Sequence, residues 1–151
     1  MDKLFKKALA FVLKWEGGYV NNPYDKGGAT NKGITQNTYN AWLKSCGLAQ
    51  KDVKNITNEE VEQIYYKNYW LKAGCDKMSP HFALLAFDTA VNMGAARVNQ
   101  FLKAACFKYP EKFIAARRAK YIEFSKYGNQ KIFLQGWLNR LNDLEKTIQT
   151  L

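Results

Sequence analysis

The chain has 151 residues, of which 47% are hydrophobic, and this excludes a disordered polypeptide and suits one folded domain with a sizeable core. A formal net charge of +10 indicates an anionic partner, which can be nucleic acid, a membrane surface or an anionic wall polymer. Three widely spaced cysteines and one histidine exclude a recognisable zinc pattern, so we expect no metal, no cofactor and buried free thiols in a chain made in a reducing compartment.

The first predicted element is an amphipathic core helix from Lys3 to Trp15 or Glu16, because apolar residues recur there at helical spacing and a pair of glycines follows. Its early lysines and short apolar run are similar to a signal peptide, but a lysine and a tryptophan interrupt the run and no small-residue cleavage site follows. No stretch reaches the ~20 apolar residues of a membrane span. We therefore expect a chain made in the cytoplasm without a signal peptide and without stable membrane insertion.

The next segment, residues 19–35, is rich in Asn, Gly, Pro and Asp, the residues that form turns. It predicts a long loop or a small, irregular β-hairpin. This polar segment interrupts a chain whose pattern is otherwise helical.

The rest of the chain predicts helices. The second runs from near Thr35 to Gly47, and the third starts at a capping box in which Thr57 and Glu60 satisfy each other's backbone amides. Four more helices are expected, and the first of them is apolar nearly all round, which is typical of a central helix. These helices are predicted at 80–93, 95–108, 110–127 and 130–150. The fold class is therefore mainly α, with one domain over residues 1–151.

Two carboxyl groups bracket the start of the polar segment. Glu16 lies at a helix C-terminus, where unpaired carbonyls disfavour a charged carboxylate, and the neighbouring aromatic residues would desolvate it further. Both effects favour the protonated form that a general acid needs. Asp25 lies among loop amides that favour its ionised form. One neutral and one ionised carboxyl suit glycoside hydrolysis, although a surface glutamate and a turn-forming aspartate also fit this spacing.

The segment EGGYVNNPYDKGGATNKGIT, residues 16–35, resembles the signature of the glycoside hydrolase 108 family of N-acetylmuramidases. FDTAVNMGAARV, residues 87–98, is similar to the family's central helix, and FLQGWLNRL, residues 133–141, resembles the end of its C-terminal peptidoglycan-binding-type region. The resemblance implies a lysozyme-like helical fold, with the catalytic motifs up to about residue 92 and the helical binding-type region from about 93 to 151 in the same unit. It implies cleavage of the β-1,4 bond between N-acetylmuramic acid and N-acetylglucosamine.

The same resemblance assigns roles to three residues. The Glu-Gly-Gly-Tyr glutamate is Glu16, which implies that it is the proton donor. Phage-type lysozymes have an Asp nine residues after the Glu and a Thr six residues further on, which corresponds to Asp25 and, one residue short, to Thr30. Asn22 stands where the family usually has Asp. In the resulting hypothesis Asp25 stabilises an oxocarbenium-like transition state or activates water, and Thr30 holds that water. Retention and inversion both remain open, as does a purely structural Asp25.

Four further residues are candidates at the site. Tyr19 and Tyr24 lie in the loop, and their rings suit stacking on sugar faces. Asn92 shares a helix face with Asp88, so the pair predicts either buried hydrogen bonds or, for Asn92, a contact with a sugar acetamido group. Because lysozyme-like folds often place a basic residue behind the catalytic Glu, the resemblance makes Arg140 a candidate partner of Glu16.

The expected partners are peptidoglycan glycan strands, bound by a monomer. Without a visible signal peptide, we expect an endolysin-like enzyme to reach the cell wall or periplasm by holin-type or partner-mediated release, in a phage, prophage or bacterial setting. Three alternatives remain: a lytic transglycosylase, a non-catalytic wall-binding or secretion-accessory protein, and a nucleic-acid-binding module. The last is disfavoured because the lysines are scattered and no nucleic-acid motif is present.

Overall fold

This computed structural model describes residues 1–24 and 26–151. Within those residues the chain forms seven α-helices and one two-stranded antiparallel sheet, which confirms the mainly α prediction. The chain divides into two units, Met1–Asn68 and Tyr69–Leu151. The boundary between these units lies earlier than the change near residue 92 from catalytic motifs to a binding-type region that the sequence resemblance implies. That the chain forms one domain stays a prediction.

The first unit contains three α-helices and the sheet. Its elements are α1 (Lys3–Glu16), β1 (Thr30–Asn31), β2 (Ile34–Thr35), α2 (Gln36–Ser45), a 3-10 helix (Val53–Asn55) and α3 (Asn58–Tyr65). A π-helical segment, Tyr66–Leu71, follows α3 and leads into the second unit.

Helix α1 begins and ends for identifiable reasons. The Asp2 side chain accepts a 2.7 Å hydrogen bond from the Phe5 amide and so satisfies one of the free donors of the first turn. One face of the helix is buried, through Phe5, Ala8, Leu9, Phe11 and Val12. Gly17 ends the helix with φ of 69°, a left-handed value that glycine adopts without strain. The predicted helix is therefore confirmed, with Glu16 as its last residue.

The predicted small hairpin is the pair β1–β2, in which Thr30 faces Thr35 and Asn31 faces Ile34. Its two-residue turn is Lys32-Gly33, where φ is 51° and 77°, as turns of the I′ type require. The backbone of Val20 exchanges two 2.8 Å hydrogen bonds with Thr30. These bonds attach the segment after α1 to the outer edge of the hairpin.

Helix α3 begins at the predicted capping box. The Glu60 amide donates to Thr57 Oγ1 over 3.2 Å, and Glu60 Oε2 accepts from the Thr57 amide over 2.9 Å. The same carboxylate accepts a 2.7 Å hydrogen bond from the Tyr39 hydroxyl, which belongs to α2. Burial raises the pKa of Glu60, but hydrogen bonds from Thr57 and Tyr39, together with Lys51, outweigh it, so this pKa lies below its usual value.

The second unit is helical throughout its described elements. They are a 3-10 helix (Cys75–Lys77), α4 (Pro80–Met93), α5 (Ala95–Ala104), α6 (Pro110–Phe124), a 3-10 helix (Gln130–Phe133) and α7 (Leu134–Ile148). Every residue from 82 to 90 is buried, which agrees with the prediction of a central helix there. Helix α4 supplies much of the core of this unit.

Three predicted helix ends are wrong by several residues. The helix expected at 95–108 stops at Ala104, because Cys106 and Phe107 have φ of 50° and 53°, outside the helical region. The helix expected at 110–127 stops at Phe124. The last predicted helix, 130–150, starts as a 3-10 turn and is α-helical only over 134–148. Fraying and 3-10 geometry at helix ends explain such differences.

The cysteines are free, as expected, but only Cys75 is buried. Burial raises its pKa to about 12. Cys46 and Cys106 are exposed, so the predicted burial is wrong for both; each lies just past the end of a helix, where the chain turns at the surface. In the described part of the chain, no helix is long and apolar enough to cross a membrane.

Candidate active site

Glu16 is the last residue of α1 and is half-buried. Beside it, Gly17 and Gly18 face open space, since a Cβ added to either would meet no atom within 4 Å. One side of the glutamate is therefore bordered by bare backbone. This arrangement leaves room for a bulky ligand to approach the helix end.

The other side of Glu16 packs against the hairpin turn. A Cβ built on Gly33 would lie 2.9 Å from Oε2 and 3.1 Å from Cβ of Glu16, and it would overlap the Tyr65 hydroxyl. Only glycine fits here, because the position combines this close approach with a φ of 77°. Gly33 thus brings the hairpin backbone into contact with the Glu16 side chain.

Tyr65, at the end of α3, holds the turn in place. Its ring is buried, and its hydroxyl donates a 2.8 Å hydrogen bond to the carbonyl oxygen of Lys32. Lys32 Nζ in turn donates to Asn58 Oδ1 over 2.6 Å. The buried Asn31 side chain donates to the carbonyls of Val53 and Lys54. These contacts fix the hairpin to α3 and to the 3-10 helix, so the backbone beside Glu16 is well supported.

Thr30, the predicted water-holding residue, lies in β1. Its backbone N–H and carbonyl both form hydrogen bonds with Val20, and it faces Thr35 across the hairpin. The residue is half-buried, and it lies three positions before the glycine that contacts Glu16. The structure places Thr30 in the same small sheet as that glycine, and its role with water stays a prediction.

The two predicted sugar-stacking tyrosines differ in exposure. Tyr19 is 40% exposed, and the Lys54 ammonium lies 5.7 Å from its ring centroid. Tyr24 is 93% exposed, and its amide donates to Asn22 Oδ1 over 3.0 Å. Both rings are open to a ligand. Asp25, the predicted second carboxylate, lies outside the described residues, so its role stays a prediction.

The other polar cluster belongs to the second unit and centres on Asp88 of α4, which is fully buried. Its Oδ2 lies 2.8 Å from Arg117 of α6, and its Oδ1 lies 2.7 Å from Arg140 of α7. Arg117 also donates to Thr89 over 2.9 Å. This carboxylate therefore ties three helices together. The predicted pairing of Arg140 with Glu16 stays a prediction.

Asn92 lies at the edge of that cluster. Its Oδ1 accepts a short hydrogen bond from the Tyr121 hydroxyl and a 3.5 Å one from Arg117. The Tyr121 ring stacks on Trp137 with a centroid distance of 5.3 Å. The side-chain carbonyl of Asn92 therefore forms hydrogen bonds within the protein, which is one of the two interpretations predicted for this residue. A contact with a sugar acetamido group stays a prediction.

Sequence reasoning missed two residues beside Glu16. In the sequence, Gly33 stands out only as part of the family-like segment, and Tyr65 only as a residue that follows the capping box of α3. A glycine at a two-residue turn is a signal for positive φ, but nothing in the sequence shows that α3 places a hydroxyl group against it. Among the described residues, no group of three or more His, Cys, Asp and Glu side chains is placed to hold a metal ion.

The profile of the family described as glycosyl hydrolase 108 matches residues 9–94, which include Glu16 and the hairpin. Among solved structures, that of SagA from Brucella abortus is similar, with a TM-score of 0.76 and 27% identity over 97% of this chain and 94% of that chain. No curated protein matches. The predicted lysozyme-like, mainly α fold with a small hairpin is confirmed.

Proposed function

The chain belongs to the glycosyl hydrolase 108 family, and on that premise we propose that it is an N-acetylmuramidase acting on peptidoglycan. Family membership confirms the resemblance seen in the sequence and makes the chain a glycoside hydrolase. It also supports peptidoglycan as the substrate. The proposed reaction is hydrolysis of the β-1,4 bond between N-acetylmuramic acid and N-acetylglucosamine, with Glu16 as the general acid.

One observation carries this proposal: the Glu16 side chain packs against the turn of the hairpin, and the two glycines that follow it in the chain face open space. A Cβ added to Gly33 would lie 2.9 Å from Oε2 of Glu16, whereas one added to Gly17 or Gly18 would meet no atom within 4 Å. The side chain is half-buried and therefore both supported and accessible. A general acid needs this combination, because it must reach a leaving oxygen in a fixed geometry.

In the proposed mechanism Glu16 gives its proton to the glycosidic oxygen as the bond to the anomeric carbon breaks. Positive charge then develops on the sugar ring, and Asp25 stabilises it or activates the attacking water. Thr30 holds that water from β1. Where Asp25 only stabilises this charge, Glu16 takes the proton of the attacking water directly. Where Asp25 activates the water, Asp25 takes that proton, and Glu16 is reprotonated from solvent as Asp25 releases it.

Substrate binding is proposed for the exposed rings of Tyr19 and Tyr24, which offer flat apolar faces to sugars. Asn92 uses its Oδ1 within the protein, so a contact with an acetamido group falls to its amide nitrogen acting as a donor to the carbonyl oxygen. Arg140 is proposed as a partner of Glu16 in addition to its ion pair with Asp88.

The test is product analysis on purified peptidoglycan by mass spectrometry. A reducing N-acetylmuramic acid end supports the hydrolase. An anhydro end means a lytic transglycosylase, and no product means a binding protein. The anomer released first, followed by NMR, separates retention from inversion.

The decisive variant is Glu16→Gln, which keeps the size of the side chain and removes its proton. We expect a loss of about 10²–10⁴-fold in the hydrolysis rate, as for other general acids, with an unchanged melting temperature. Glu59→Gln, an exposed substitution in the first turn of α3, is the matched control. Wild-type rates for Glu16→Gln would refute the assignment. Asp25→Asn should also lose most activity; full activity would make Asp25 a loop former.

Release and assembly complete the proposal. We place the action of the enzyme at the cell wall or periplasm, after holin-type or partner-mediated release, and as a monomer bound to glycan strands. The net charge of +10 supports attraction to an anionic wall. Sedimentation at several protein concentrations tests the monomer, and lysis assays with and without a holin test the release route.

A further inference from the structure

The turn between α5 and α6 has an unusual backbone. After α5, the amide of Cys106 donates to the carbonyl of Lys103 over 2.9 Å, and the amide of Phe107 donates to that of Leu102 over 3.0 Å. These two bonds form a Schellman motif, which normally places glycine where Cys106 stands. Cys106 and Phe107 both have φ near 50°, a conformation that disfavours their side chains. The equivalent turn after α2 uses Gly47 instead, with φ of 69°.

This backbone presents a large apolar side chain to solvent. In a Schellman motif, the residue at the position of Phe107 usually packs against the last turn of its helix. Phe107 borders Leu102 but remains 65% exposed. Its contact with Leu102 is the one that this motif usually makes, yet most of the ring still faces solvent. A single exposed ring is common on protein surfaces, so its meaning depends on the apolar surface around it.

An apolar pocket adjoins the turn. Its volume is about 300 Å³, and its exposed lining is mainly apolar. The lining residues are Lys77, Met78, Ser79, Phe82, Leu102 and Phe107. The exposed phenylalanine therefore extends an apolar surface into the protein, and a lysine lies among the residues that surround it.

Lysines lie in the same turn as Phe107 and at the pocket. Residues 103–112 include three lysines and one acidic residue, Glu111. The ammonium groups of Lys108 and Lys112 lie 5.3 and 4.7 Å from the ring centroid of Tyr109, which is itself 37% exposed. At the pocket, Lys77 is preceded by the acidic Asp76. Aromatic rings beside lysines suit the boundary between lipid headgroups and acyl chains, where Tyr places its ring and Lys reaches phosphate.

We propose that residues 103–112 and the adjoining pocket form a peripheral docking surface for a bilayer that contains anionic phospholipids. The lysines bind the phosphate groups, and Phe107 inserts at the level of the first acyl carbons. A wall polymer or a nucleic acid would use the lysines but would leave Phe107 and the pocket without a role. The contact is peripheral and reversible, since a short turn with one inserted ring does not anchor a protein.

The test is flotation of the full chain with vesicles of phosphatidylcholine, with or without phosphatidylglycerol. Wild type is expected to float with the anionic vesicles and to stay behind with the neutral ones. Phe107→Asn should weaken binding by about tenfold, on the scale of burying one large apolar side chain. Asparagine tolerates positive φ better than phenylalanine, so this variant keeps the fold.

Tyr127→Asn is the matched control, because Tyr127 is 67% exposed and lies in another turn of the same unit. It should bind vesicles as wild type does. Equal losses in Phe107→Asn and Tyr127→Asn would overturn the proposal, as would equal binding to both kinds of vesicle or to neither. Hydrolysis of purified wall by Phe107→Asn should stay at the wild-type rate, so this test does not depend on the proposed function.

The contribution of the lysines to vesicle binding is tested by two double variants that remove the same amount of charge from different places. Lys108→Gln with Lys112→Gln should weaken binding by about fivefold for each lysine, and less so at high salt. Lys3→Gln with Lys7→Gln lowers the net charge of the protein by the same amount from exposed positions on α1. A similar loss in both pairs would mean attraction by overall charge alone and would refute a docking surface at this turn.

Discussion

Glu16 and Asp88 are carboxylates on helices of two different units, and their surroundings are opposite. Glu16 ends its helix half-buried, beside glycines and open space. Asp88 lies inside its helix with no exposure and contacts two arginines within 3 Å. The first is half-buried and remains accessible, whereas the second is fully buried between two arginines.

The difference separates a chemical role from a structural one. An ion pair with no exposure fixes helices relative to each other, because removing either partner leaves a buried charge without its counter-charge. A carboxyl group that must transfer a proton needs access to a substrate instead. Both residues stand in recognisable motifs of the sequence, so only their surroundings distinguish them.

The largest expected effect comes from Asp88→Asn. It should lower the free energy of unfolding by about 3–5 kcal/mol, because Arg117 and Arg140 would lose the carboxylate that they contact. Urea denaturation measures this. Asp76→Asn, an exposed substitution of the same chemistry, should change stability by no more than about 0.5 kcal/mol. Similar small values for both variants would contradict the structural role of Asp88.

A second effect, on activity, is expected from Gly33→Ala. The added methyl group would lie 2.9 Å from Glu16 Oε2 and overlap the Tyr65 hydroxyl, so the carboxyl must move. A displacement of the carboxyl by about 1 Å is expected to lower kcat about a hundredfold. Rates on purified wall, measured together with the melting temperature, separate misplacement of Glu16 from unfolding.

Gly47→Ala is the control for this variant. Gly47 has φ of 69° and no atom within 4 Å of an added Cβ, so its substitution adds backbone strain without crowding. It should cost about 1–2 kcal/mol of stability and leave activity unchanged. If both glycine variants lose the same activity, contact with Glu16 is not the reason.

The smallest effect is expected for Glu60, a partly buried carboxylate that is held by hydrogen bonds and by one lysine. Its hydrogen bonds keep its pKa below the ordinary 4.5, so its contribution to stability is complete above that pH and is lost as pH falls through the lower folded pKa. The stability difference between wild type and Glu60→Gln should therefore shrink in acid. Unfolding measured across that pH range checks this.

Glu123 provides the matched comparison for salt. Its pKa is also lowered, by the hydrogen bond and charge of Lys120, but its side chain is 53% exposed against 12% for Glu60. Salt should therefore remove the effect of Glu123→Gln and retain most of that of Glu60→Gln, because exposed pairs are screened. An equal salt response of the two variants would refute the difference in burial.

Local patterns predicted much of this fold. The spacing of apolar residues identified α1 with its end at Trp15 or Glu16, and turn-forming residues indicated a loop or a small hairpin after it. The capping box at Thr57 was also predicted correctly. These features depend on neighbours within a few residues, so the sequence contains the information directly. Some helix ends were predicted wrongly: α5 stops four residues before its predicted end, because two non-glycine residues adopt positive φ, which composition does not indicate.

The partners of the charged residues required the tertiary structure. The spacing of Asp88 and Asn92 showed a shared helix face but not the arginines that meet it, and Arg140 lies 52 residues further along the chain. Likewise, Tyr65 reaches a turn 33 residues before it. Helical periodicity states which side of a helix is polar, and packing alone decides which other helix supplies the partner.

The sequence by itself determined a basic, mainly α glycoside hydrolase with its candidate acid at the end of the first helix. These conclusions rest on local spacing and on ordered motifs, which do not depend on knowing long-range contacts. Only the tertiary structure decided that Gly33 and Tyr65 support Glu16, that Asp88 is enclosed by arginines, and that Phe107 faces solvent. The first two are contacts between segments distant in sequence, and the third is a side chain that no distant segment covers. Both kinds of feature depend on how complementary surfaces pack, which local sequence does not state.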